Sequence, residues 1–201
     1  MSTPDRRTLI ADAAITTVAG AGLRGLTHRA VDTAAQLPAG STSYYFRTRT
    51  ALIEACYHRL AQADLADLAA LWGDDAAGPP HPAPASLDAA AGTLARVLHH
   101  WLTDGRARQL ARFELSLEAV RRPELQGALH RAGHDARTRA AALLAQLGAT
   151  HPEEAAELLT AWTDGLLYDR LAGALASTRP EPDRAELTRV VRRMITTALE
   201  P

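Results

Sequence analysis

Apolar residues recur at three- and four-residue intervals through nearly the whole chain, and glycine or proline stands where the pattern lapses. Spacing of this kind gathers apolar side chains on one face of a helix. Roughly one residue in five is alanine, leucine is common, β-branched runs are almost absent, and only 4% of residues are aromatic. Each of these favours helix over strand. The fold is therefore predicted to be all-α, with about nine helices and neither strand nor internal repeat. A hydrophobic content of 47% over 201 residues is enough for a core. No uncharged run approaches the ~20 apolar residues of a membrane span. The polar start, Met1 to Arg7, leads directly into a helical pattern, which argues against a cleaved signal. Cys56 is the only cysteine, so no intrachain disulfide or cysteine-built metal cluster can form. A cytoplasmic location is expected.

The punctuation divides the chain. A first helix runs from about Pro4 to Ala21, with Leu9, Ile10, Ala13, Ala14, Thr17 and Val18 on one face, and Gly20 and Gly22 end it. Thr27 is a good N-cap for a helix of about two turns through Ala30, Val31, Ala34 and Ala35. Leu37-Pro38-Ala39-Gly40 interrupts it, and a second short helix is predicted over Ala39 to Phe46. Three helices in under fifty residues, two of them short, outline a helix-turn-helix. Thr48 caps a longer helix to about Trp72, and the Pro- and Gly-rich stretch 73–85 reads as a loop. Ser86 caps a helix to about Leu102, another follows Asp104-Gly105 to about Arg121, and Pro123 opens a long one to Leu147. Gly148 stops that helix. Pro152 starts the next, to about Ser177, and the last ends near Leu199.

Charge is unevenly spread. All 22 basic residues are arginine. Residues 1–59 carry a net +3 and the remainder −4, a positive head on a negative body, as suits a polyanion bound at one end. Within the head, Ser41, Thr42 and Ser43 offer short hydroxyls at the start of a helix, where the readable edges of the major groove are met. Gly40 lets backbone approach a phosphate. Tyr44 and Tyr45 combine a hydroxyl with a flat apolar face, suited either to DNA or to packing within the head, while Phe46 is expected in the core. Arg47 and Arg49 can pair with phosphate, and Thr27 and Arg29 can clamp the backbone on the other side.

Leu26-Thr27-His28-Arg29-Ala30-Val31, followed by Leu37-Pro38-Ala39-Gly40-Ser41-Thr42-Ser43-Tyr44-Tyr45-Phe46-Arg47-Thr48-Arg49, closely resembles the DNA-binding head of the TetR family of bacterial transcriptional regulators. The chain differs from the usual pattern at Pro38, Ala39 and Ser43, positions that bear on which operator is read. The resemblance implies DNA contacts at Thr27, Gly40, Ser41, Ser43, Tyr44, Tyr45 and Arg49, with Thr42 positioning the helix. It divides the chain into a helix-turn-helix domain, 1–50, and a helical regulatory and dimerisation domain, 51–201. It further implies a repressor that binds a palindromic double-stranded operator as a homodimer and is released by a small-molecule effector. The helix from Thr48 to Trp72 is the natural lever.

A short recognition helix reads few base pairs, so a dimer also follows from half-sites spaced about 34–36 Å apart. The last two helices are the expected interface, through Leu158, Leu159, Trp162, Leu166, Val191, Met194 and Ile195. The same stripes could face only the intrachain core. Effector-pocket candidates are His100, Trp101, Phe113, Glu114, Leu117, Trp162 and Tyr168. Glu114 could select a cationic ligand or pair with Arg108 or Arg112. Gly20-Ala-Gly22-Leu-Arg-Gly25 matches a dinucleotide fingerprint but lacks the strand that the mechanism needs. His130 and His134 share a helix face without an accompanying carboxylate motif, and no nucleophile or carboxylate pair suggests an enzyme. No cofactor or metal is expected. A helical interaction protein without DNA function and an all-α enzyme are the other readings.

Overall fold

The computed structural model describes residues 5–72 and 86–200. Pro4, where the first helix was expected to open, and the predicted loop 73–85 lie outside them. Among the described residues there are nine α-helices and no strand: α1 (Arg6–Gly25), α2 (His28–Ala34), α3 (Ser41–Tyr45), α4 (Arg49–Trp72), α5 (Leu87–Leu102), α6 (Arg106–Arg121), α7 (Gln126–Gln146), α8 (Pro152–Leu171) and α9 (Arg184–Leu199). None is long and apolar enough to cross a membrane. The caps read from the sequence are in place. The side chains of Thr27, Thr48 and Ser86 accept from the amides of Ala30, Ala51 and Ala89 at 3.1, 3.1 and 3.2 Å.

Three boundaries differ from expectation. Regular helix in α1 breaks at Gly22 (φ 63°, ψ −177°), as the glycines suggested, but a further turn continues to Gly25. Pro123 opens a single 3₁₀ turn before α7 starts at Gln126. Helix α8 stops at Leu171, short of Ser177, where the Arg106 guanidinium donates to the Leu171 carbonyl at 3.1 Å and Ala172 leaves the helical region.

Packing divides the chain into two compact units, Met1–Ala63 with Ala107–Ala132, and Asp64–Arg106 with Gly133–Pro201. The core of the first unit includes residues well beyond position 50. Ile10, Ala14, Val18, Leu26, Val31 and Phe46 pack with Leu52, Ile53, Cys56, Tyr57 and Leu60 of α4 and with Ala111, Leu115, Ala119 and Leu125. The Tyr57 hydroxyl donates to the Leu115 carbonyl at 2.8 Å, and Arg59 pairs with Asp12 at 2.7 Å. In the second unit α5 packs chiefly on α9, with α8 alongside both. Alanines 90, 91 and 95 permit the close approach, and Leu187, Val191, Ile195 and Ala198 of α9 are buried.

Candidate nucleic-acid interface

The recognition segment is built by the turn between α2 and α3. Helix α2 ends with the Leu37 amide donating to the Asp32 carbonyl (2.9 Å) and the Gln36 amide to the Thr33 carbonyl (3.1 Å). Gln36 takes the left-handed conformation (φ 54°) that such an ending usually gives to glycine. After Pro38-Ala39, Gly40 is also left-handed (φ 90°) and serves as N-cap of α3 without a side chain to cap it. A Cβ at Gly40 would meet nothing within 4 Å, so backbone conformation, not crowding, is what calls for glycine here. The Ser41 amide and hydroxyl both donate to the Pro38 carbonyl, at 3.1 and 2.6 Å.

Asp32 fills the missing cap from the neighbouring helix. Its buried carboxylate accepts from the Gly40 amide (2.8 Å), the Thr42 amide (2.7 Å) and the Thr42 hydroxyl (2.6 Å). Burial pushes its pKa up, but the bonds from Thr42 and Gly40, with the nearby His28, outweigh that and hold it below the ordinary carboxylate value. Thr42 is fully buried, in keeping with a positioning role. His28 adds a second tie, its Nε2 donating to the Phe46 carbonyl at 2.7 Å.

This framework leaves one face of α3 in solvent. Tyr44 is 80% exposed, and Ser43 is exposed beside it. Tyr45 is half-buried, edge-on to Tyr44 with ring centroids 5.1 Å apart, and Phe46 lies in the core. The Arg7 guanidinium sits over the Tyr45 and Phe46 rings at 5.9 and 5.2 Å. Thr27, Arg29 and Arg47 are exposed, whereas Ser41 is partly covered. Arg49 is half-buried. Its guanidinium donates to the Leu26 and Leu23 carbonyls at 2.5 Å each, tying the end of α1 to the start of α4. Burial also makes Cys56 a packing residue, its thiol pushed up to about 12.

In the second unit, Asp67 of α4 accepts from the Trp101 indole at 2.9 Å and lies 3.5 Å from His100 Nε2, with Asp104 3.4 Å from the other ring nitrogen. Two of the pocket candidates, His100 and Trp101, are thus brought together around a carboxylate that sequence reasoning did not select. Trp162 lies elsewhere, with Arg193, Met194 and Thr197 in a shallow open groove between α8 and α9. Tyr168 is half exposed. Phe113, Glu114 and Leu117 belong to the first unit, where Arg112 covers the Phe113 ring at 4.7 Å and Glu114 and Leu117 are exposed. Of the expected interface residues, Leu159, Val191 and Ile195 are core: they are buried within this one chain because α8 and α9 close on α5 through them. Leu158, Trp162, Leu166 and Met194 keep accessible surface. His130 and His134 are exposed, and among the described residues no group of three His, Cys, Asp or Glu gathers as metal ligands would.

The model of the tetracyclin repressor-like C-terminal domain matches residues 85–197, more than half the chain. The chain belongs to the TetR family. A solved TetR-family member from Streptomyces coelicolor A3, SCO1917, is 32% identical over 95% of this chain and 98% of its own, with a TM-score of 0.69. The multidrug binding protein EbrR complexed with ethidium is 34% identical over 96% and 99%, TM-score 0.65. The same protein complexed with malachite green gives 32%, 95% and 98%, and 0.64. No curated protein matches.

In this TetR-family chain the head residues that sequence reasoning missed are Asp32, His28 and Arg7. One signal was available for Asp32: it is the acid next to Val31 on the inner face of a short helix. His28 and Arg7 carried none, since each acts on a residue 18 or more positions away that only the fold brings near.

Proposed function

We propose that this TetR-family regulator is a homodimeric repressor that reads a palindromic operator through α3 and releases it when a small molecule binds. The observation that carries the reading is Tyr44, a large aromatic left 80% exposed beside Ser43 on a helix whose other side chains are anchored. Tyr44 offers a hydroxyl and a flat apolar face from a support fixed by the Asp32 and His28 hydrogen bonds, a combination suited to a DNA backbone or base edge. Arg29 and Arg47 stand exposed nearby in sequence to meet phosphate, as does Thr27. Members of the family bind DNA as dimers, and Leu158, Trp162, Leu166 and Met194 supply accessible apolar surface on α8 and α9 for a second copy.

The effector fits the class of aromatic cations. EbrR is complexed with ethidium and with malachite green. Here Asp67 places a carboxylate against the Trp101 indole and His100, so charge and a π face are offered together. A ligand preferring a body conformation with mismatched head spacing lowers operator affinity by linkage. Helix α4, which has residues in both units, is the connecting element.

Duplexes selected from random DNA by the purified protein test the reading, with sedimentation at working concentration giving the stoichiometry. A palindrome bound by two chains and released by malachite green is expected. Asp67→Asn controls for dye acting on the DNA, because that variant should keep the operator at dye concentrations that release wild type. A monomer, or indifference to duplex DNA at low ionic strength, overturns the proposal.

A further inference from the structure

We infer that Asp32 is the positioning residue of DNA reading, a buried carboxylate that caps the recognition helix from outside and thereby seats Ser43 and Tyr44 for the groove. The inference rests on the operator-binding role proposed above. Helix α3 has five residues, too few to hold itself in place, since nucleating one turn is unfavourable and the first amides of any helix lack partners. Its own N-cap is Gly40, which has no side chain to supply. Asp32 satisfies the Gly40 and Thr42 amides and the Thr42 hydroxyl together, all within 2.8 Å, from a position eight to ten residues earlier on α2. Three donors converging on one buried anion fix the distance and the angle between the two helices of the motif.

Two consequences follow. The anion occupies amides that a recognition helix can otherwise turn toward a phosphate, so the start of α3 is satisfied internally and its reading falls to exposed side chains. Asp32 itself is 4% exposed, so it touches no DNA, and any effect it has on binding acts through the placement of α3. The Leu37 amide bond to the Asp32 main-chain carbonyl anchors the turn to the same residue, and that bond survives a side-chain change.

The test compares wild type, Asp32→Asn and Thr42→Val on a duplex selected by wild type from random DNA and on an unrelated duplex of equal length. Thermal melting corrects each value for the folded fraction. Asn keeps the size but turns a donor toward donors, while Val removes only the hydroxyl bond. Asp32→Asn should lose roughly 10- to 100-fold in affinity for the selected duplex, the cost of about one misread base pair. Affinity for the unrelated duplex and the salt slope should not change, and Thr42→Val should fall between. A merely structural role would lower both affinities together and vanish on correction. Amide exchange at Gly40 and Thr42 should quicken in Asp32→Asn while Val18 and Ile53 stay protected. Equal discrimination by a folded Asp32→Asn protein overturns the positioning role and leaves operator binding intact. Failure of wild type to select any duplex overturns operator binding itself and this inference with it.

Discussion

Replacing Arg49 with alanine separates two roles that its sequence position makes equally plausible. In the structure its guanidinium donates to the Leu23 and Leu26 carbonyls at 2.5 Å each, where α1 ends and the chain turns toward α2. A hydrogen bond to a charged group contributes about 1.5–3 kcal/mol when buried. Arg49 is only half-buried, so the lower end applies, and the two bonds together should be worth roughly 2–3 kcal/mol. Part of that is the favourable placement of a cation at a helix C-terminus. In a chain of this length the loss should lower the melting temperature by roughly 5–10 °C. Lysine should recover only part of it, because an ammonium lacks the fork that spans two carbonyls. Binding to random duplex, corrected for folded protein, should keep its salt slope, whereas a lost phosphate contact would reduce it by ~0.9. An Arg49→Ala protein with unchanged melting and a slope smaller by that amount would refute the assignment, showing that the guanidinium serves the DNA instead.

Gln36→Gly should stabilise the head by about 1 kcal/mol, since it removes a side chain from a left-handed position at the end of α2, and a urea midpoint would show it. Tyr44→Ala should leave stability within about 0.5 kcal/mol of wild type, as exposed sites do, yet weaken binding to the selected duplex in a mobility-shift titration. The pH dependence of folding should carry the signature of Asp32. Its carboxyl is held low in the folded head, so it contributes stability above the unfolded carboxylate value and loses it as pH falls below about 4. Asp32→Asn should therefore be less stable at pH 7 and show a shallower acid limb in equilibrium unfolding. Tyr57→Phe should cost about 1 kcal/mol, measured by denaturant, through the buried bond to the Leu115 carbonyl.

The elements of this protein were written in its sequence because helix formation is decided locally. Alanine-rich apolar periodicity, the caps at Thr27, Thr48 and Ser86, and glycine or proline at the breaks each act over four or five residues. Helix α8 ends earlier than its pattern suggests, with Arg106 donating to the Leu171 carbonyl there, and Gln36 follows α2 in a conformation that its side chain does not advertise. The motif from Leu26 to Arg49 likewise marked the short helices α2 and α3 and the turn between them, since its caps and its turn residues act over a few positions.

Which arginine is free, and which apolar stripe is left over, could not be read that way. Arg29 and Arg49 look alike along the chain, yet one is exposed and the other is engaged by carbonyls 23 and 26 residues away. Leu158 and Leu159 are neighbours in sequence, but only the packing of α8 with α5 and α9 decides that Leu159 is spent inside the chain while Leu158 keeps its surface. Helix periodicity marks an apolar face without saying what covers it. Partners for polar and apolar groups alike are assigned by contacts distant in sequence, and those exist only once the helices have packed.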